Sequence, residues 1–77
     1  MKYGYIKIGK IYKMKCYDTR GPFLILKSGS KVKVLEKSDK LYKNNIKVQD
    51  LSNNKLLDGI WWTNHLNLEK EVEKWKL

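Results

Sequence analysis

The sequence predicts an all-β chain: a small barrel of five or six short antiparallel strands followed by a short C-terminal helix. Three observations carry that reading. Apolar residues recur with a period of two in several short runs, most clearly where Val32 and Val34 alternate with Lys31 and Lys33. Turn residues separate the runs, as at Ser28-Gly29-Ser30 and Ser52-Asn53-Asn54. At 77 residues the chain has room for one domain with one small core. The barrel is assigned to residues 1–68, with 69–77 as a helix of the same domain.

The elements follow in chain order. Residues 3–16 read as extended. Ile6 and Ile8 flank Lys7, and Tyr12, Met14 and Cys16 alternate with Lys13 and Lys15, which sends apolar groups to one face and lysines to the other. On that pattern Cys16 is a small buried group. Asp18-Thr19-Arg20-Gly21-Pro22 is dense in turn residues and ends this unit. Phe23-Leu24-Ile25-Leu26 is a continuous apolar run, expected of a strand buried on both sides or at a barrel seam. Lys31 to Leu35 is the next strand, and Lys37 to Asn45 a polar loop. Ile46 and Val48 alternate with Lys47 and Gln49 in another strand. Leu56 to Trp62 follows, with Gly59 marking a kink or a close backbone approach. Thr63 to Asn67 reads as a short helical turn. In residues 68–77, Leu68, Val72 and Trp75 recur at helical spacing. Glu69 and Glu71 near the start and Lys74 and Lys76 near the end suit a helix dipole.

Charge narrows the partner. Lysine outnumbers arginine 16 to 1, and the net charge is +9. Residues 1–47 hold 13 basic and 3 acidic groups, a net of +10, whereas residues 48–77 hold 4 basic and 5 acidic groups, a net of −1. A basic body predicts a polyanionic partner, nucleic acid or an acidic protein surface. Cys16 is the single cysteine, which excludes an intrachain disulfide and a CxxC metal site. His65 is the single histidine, and no paired carboxylates accompany it, so no metal, no cofactor and no catalysis are expected. The chain shows neither a signal-type apolar segment nor a run long enough to span a bilayer, and a cytoplasmic location without membrane contact is expected.

The stretch from Phe23 to Leu68 resembles the Src-homology-3 barrel. Leu24-x-Leu26-Lys27-x-Gly29-x-Lys31-Val32-x-Val34-Leu35-Glu36 looks like that family's strand, diverging turn and strand. Gly59-Ile60-Trp61-Trp62-Thr63-Asn64-His65-Leu66-x-Leu68 looks like its closing segment. There Gly-aliphatic-apolar-Pro-Ser-Asn-Tyr-Val leads from a strand through a single helical turn into the last strand. The resemblance implies that Trp61 is in the core and Trp62 faces outward. It also sets Trp62 at the family's proline position and His65 at its tyrosine position. Tyr17-Asp18 echoes the family's first Tyr-Asp pair. Only Thr19-Arg20-Gly21-Pro22 separates Asp18 from Phe23, so the acidic loop that grips basic ligands is absent and Arg20 reverses its sign. A ligand other than a proline-rich peptide is expected.

The candidate ligand-binding residues are therefore of two kinds. Trp62, Tyr12 and Tyr42 are stacking candidates for a base, sugar or side chain, with Asn64 and His65 beside Trp62. Lys13, Lys15, Lys31, Lys33 and Lys47 are expected to point outward from neighbouring strands and to track phosphates. The expected function is a non-catalytic, basic nucleic-acid-binding accessory module, monomeric or weakly dimeric. The alternative is an interaction module or inhibitor of phage or mobile-element type that docks on an acidic face of a host protein.

Overall fold

In a computed structural model of the chain, residues 1–40, 43–51 and 59–72 are described. Among them seven strands supply the regular structure: β1 (Ile11–Met14), β2 (Asp18–Arg20), β3 (Phe23–Leu26), β4 (Lys31–Lys37), β5 (Ile46–Asp50), β6 (Ile60–Thr63) and β7 (Leu68–Val72). Two single-turn 3-10 segments, Tyr3–Tyr5 and His65–Asn67, complete it. The fold is all-β, and the described residues contain no helix long and apolar enough to cross a membrane.

The strands form two antiparallel sheets. Five are ordered β6-β5-β4-β1-β7, and β2 and β3 make a separate hairpin. Strand period decides what each face of the large sheet carries. Directly paired residues share a face, and the register pairs Tyr12 with Val32, Val34 with Val48, Val48 with Trp61, Ile46 with Thr63 and Met14 with Leu68. This inner face is the core. Tyr12, Met14, Val32, Val34, Ile46, Val48 and Leu68 are fully buried, joined by Ile25 and Leu26 from β3 and by Ile6. The hairpin and the N-terminal segment thus cover one side of the sheet, and its other side faces solvent.

Several expectations are corrected. Residues 3–16 are not continuously extended: Tyr3–Tyr5 turns, and a second turn at Lys7–Lys10 precedes β1. Lys37 explains the first turn. Its partner across the strands is Ile46, so it points inward, and its ammonium donates to the carbonyls of Tyr3 (2.9 Å) and Ile6 (2.7 Å) and lies 4.3 Å from the Tyr3 ring centroid. Asp18–Arg20 is a strand, and the turn shrinks to Gly21-Pro22. Gly21 at φ 59° supplies the positive φ that the first central position of this two-residue turn requires. Gly59, also at positive φ (69°), is buried at the entrance to β6, where its carbonyl accepts from the Asp50 N–H at 2.7 Å. The apolar run Phe23–Leu26 is buried only in its second half, Phe23 and Leu24 being exposed.

The largest correction is at the C-terminus. Leu68–Val72 is a strand, not the start of a helix. Without it the outer edge of β1 would present unpaired backbone donors and acceptors beside a buried core. A helix of about ten residues is marginal in water. Pairing with β7 closes the outer edge of β1 and buries Leu68 opposite Met14, with a bulge at Lys13/Met14 adjusting the register. Residues 73–77, including Trp75, lie outside the described residues, as do Ser52-Asn53-Asn54 and Leu56.

If β7 is an integral strand, Leu68→Ala should cost about 2–5 kcal/mol by leaving a core cavity. Glu71→Ala on the same strand is exposed and should stay within about 0.5 kcal/mol. Urea unfolding followed by tryptophan fluorescence separates the two.

Candidate functional site

The solvent face of the five-stranded sheet is built by the residues that alternate with the core. Ile11 pairs with both Lys33 and Val72, Lys33 with Gln49, and Gln49 with Ile60. One residue pair further along β1, Lys13 pairs with both Lys31 and Lys70. Lys70, Lys13 and Lys31 therefore form a lateral row across β7, β1 and β4, with strands about 4.8 Å apart. Lys33 stands next to that row on β4. On the far side of the face Lys47 pairs with Trp62 on β6 and lies beyond Glu36 on β4. Like charges directly opposite each other destabilise a sheet, so the row is not a packing solution.

Local pairing softens this field without cancelling it. Lys13 lies 3.8 Å from the Glu69 carboxylate and Lys47 3.2 Å from that of Glu36. Both pairs are about a third or more exposed, where such bridges contribute about 0–1 kcal/mol and exchange readily. The Lys31 ammonium donates to the Gly29 carbonyl at 3.3 Å, and Lys33 and Lys70 are exposed.

The sequence candidates separate on this geometry. Lys13, Lys31 and Lys33 share the face, and Lys47 and Trp62 stand on the same face toward β6. Lys70 belongs with them, although reading 69–77 as a helix hid it. Lys15, just past β1 and exposed, is outside the paired register; its backbone N–H donates to Asn67 O at 2.6 Å. Tyr12 is not a stacking group: it is fully buried, and its hydroxyl accepts from the Lys7 backbone N–H at 2.8 Å. Asn64 caps the second 3-10 turn by accepting from the Leu66 N–H at 2.9 Å, and it donates to the Lys43 carbonyl. The His65 Nδ1 is 2.7 Å from the Met1 carbonyl, and its ring packs edge-on to Tyr3. Both side chains, each half-buried, are engaged in hydrogen bonds within the fold. Tyr42 lies outside the described residues.

The two adjacent tryptophans divide between the faces. Trp61 packs against the core, with its indole N–H buried and without a hydrogen-bond partner among the described residues. Trp62 is half-buried on the solvent face. Its backbone is tied to the β2-β3 hairpin, because Arg20 donates to the Trp62 carbonyl. Asp18 completes this latch: its carboxylate accepts from Thr63 Oγ1 at 2.7 Å, from Arg20 at 3.2 Å and from the Thr19 N–H at 2.8 Å. Asn67 donates to Thr63 Oγ1 at 2.9 Å and accepts from the exposed Cys16 thiol at 3.3 Å. Cys16 was expected in the core; placement beyond the end of β1 puts it at the surface. The latch brings the hairpin tip to the β6 edge, and with it Phe23, the cross-strand partner of Arg20, which is 62% exposed.

Among the described residues no group of three or more His, Cys, Asp or Glu side chains is placed to hold a metal ion. No protein-family profile matches the chain, and neither a curated protein nor a solved structure matches it significantly.

Replacing the hub of the latch, Thr63→Val, keeps the shape but leaves the Asp18 carboxylate and the Asn67 amide short of a partner. A loss of about 1–3 kcal/mol in urea unfolding is expected. Asp18 should lose its Thr63 contact while Leu68 and the sheet register stay in place, which amide hydrogen exchange resolves by hairpin and by strand.

Proposed function

We propose that the chain is a Src-homology-3-like barrel that binds nucleic acid, without catalysis, on the solvent face of its five-stranded sheet. The lateral row Lys70–Lys13–Lys31, with Lys33 beside it, carries this reading. Three lysines stand opposite one another on neighbouring strands, and a chain of phosphates would supply counter-charge along the row.

The order of elements supports the barrel assignment. A first strand is followed by a hairpin, then by the meander β4-β5-β6, then by one 3-10 turn and a last strand that pairs with the first. The 3-10 turn at His65–Asn67 falls within the segment that resembles the family's closing motif. The ligand mode differs from proline recognition, because Asn64 and His65 are used internally and the hairpin carries Arg20 in place of an acidic loop.

An acidic protein surface would also meet the lysines. Nucleic acid is favoured because the lysine face runs into Trp62 and the exposed Ile60 on β6, a flat apolar border that suits base or sugar contact. Recognition is expected to be weakly sequence-specific, since lysine acts as a point charge and the single arginine is engaged by Asp18 and the Trp62 carbonyl.

Two outcomes are expected. Affinity for an oligonucleotide should fall with salt, with a slope of log K on log salt of about −3 if four lysines contact a single strand. Binding that is insensitive to salt rules the face out. Lys70→Glu should weaken binding and also stabilise the free protein by about 0.2–1 kcal/mol, because it turns a like-charge pair into an opposite-charge one. Paired fluorescence titration and urea unfolding of this variant read both effects.

A further inference from the structure

The sheet face has a direction. Its charge lies toward β7, β1 and β4, where Lys70, Lys13, Lys31 and Lys33 stand, and its aromatic surface lies at β6. The β2-β3 hairpin packs on the core side of the sheet, and its tip reaches the β6 edge beside that aromatic end. Arg20 anchors the tip to the Trp62 carbonyl, and Phe23, opposite Arg20, leaves most of its ring in solvent. An exposed phenylalanine beside a rigid two-residue turn contributes nothing to the core, whereas Ile25 and Leu26 on the same strand are buried in it. Leaving a large ring out of a core this small is a cost that a stacking partner would offset.

We propose that the ligand is specifically a single-stranded nucleic acid laid across the strands. Its phosphates meet the Lys70–Lys13–Lys31 row and Lys33, and unpaired bases stack at Trp62 and at Phe23 of the hairpin tip. This rests on the nucleic-acid reading above and adds the strandedness, the direction and Phe23. Two physical reasons select a single strand. Exposed rings gain from base faces, and a duplex hides its base faces in its own stack. A duplex is entered through its major groove by an α-helix or a two-stranded ribbon carrying side chains that read base edges. The described residues contain no α-helix, and the one projecting hairpin is fastened back onto β6 by the Arg20–Asp18–Thr63 latch.

The test compares a fluorescently labelled oligothymidylate with a hairpin duplex of similar charge, by anisotropy at low salt, for the wild-type chain, Phe23→Ala, Trp62→Ala and Lys13→Gln/Lys33→Gln. The expected result is tighter binding of the single strand. Phe23→Ala should weaken the single strand about tenfold while changing duplex binding little, and the double lysine variant should weaken both. Phe23 is exposed, so its variant keeps the fold, and urea unfolding verifies that. Equal or tighter duplex binding, or a Phe23→Ala variant that binds oligothymidylate like wild type, overturns this inference and leaves the nucleic-acid reading standing. Absence of binding to either probe overturns both and turns attention to an acidic protein partner.

Discussion

Everything in this fold depends on β1 being paired on both sides. It is four residues long, yet it contributes Tyr12 and Met14 to the core, joins β4 on one edge and receives β7 on the other. Because strand side chains alternate, committing Tyr12 and Met14 inward forces Ile11 and Lys13 outward. The same pairings that align the core therefore align the lysines. A shift of one residue in either pairing would bury Lys13 and expose Met14, so the hydrophobic core holds the basic row in register. The row is a consequence of the core pattern plus the choice of lysine at each outward position, and only that choice was open.

The second organising contact is the Asp18 carboxylate. It joins β2, β6 and the 3-10 turn through Arg20, Thr63 and, beyond Thr63, Asn67. A partly buried carboxylate with several donors acts as a rivet between layers that share few side chains. It also spends the chain's only arginine on structure, which leaves the solvent face with lysine alone. A lysine ammonium is a point charge without the planar fork of a guanidinium, so the cations left on that face lack bidentate geometry.

The legibility of the chain follows the clarity of its periods. Val32, Val34, Ile46 and Val48 alternate with polar residues on strands buried on one side, and spacing alone gives their orientation. The outward direction of Lys31, Lys33 and Lys47 came with it. Leu68 and Val72 misled, because a spacing of four fits a helix stripe as well as the two ends of a five-residue strand, and what decides is the free edge of β1, a tertiary fact. That error concealed Lys70. Tyr12 illustrates the same limit: its period placed it inward with Met14, while its ring suggested surface stacking, and burial follows the period. Phe23 was legible as apolar but not as exposed, since the hairpin's position depends on Asp18 and Arg20 meeting Thr63 and the Trp62 carbonyl some forty residues away.

A sheet of this size has two ways to treat its solvent face. It can mix charge signs across strands and gain a few tenths of a kcal/mol per pair, or it can gather one sign and lose a similar amount. On the solvent face this chain does the first at Glu36–Lys47 and the second at Lys70–Lys13–Lys31, within one sheet. A composition rich in lysine accounts for many lysines but not for this division. Random placement would be expected to set acids and bases side by side wherever acids occur, and β7 has both Glu69 and Glu71 flanking Lys70. Glu71 alternates away from Lys70, opposite the inward Tyr12, whereas Glu69 sits at the bulge and bridges Lys13. Strand period and bulge thus set Lys70, Lys13 and Lys31 in one row beside a single β7 carboxylate, Glu69, and gather positive charge toward the β7 end of the sheet, with Trp62 at the opposite, β6 end.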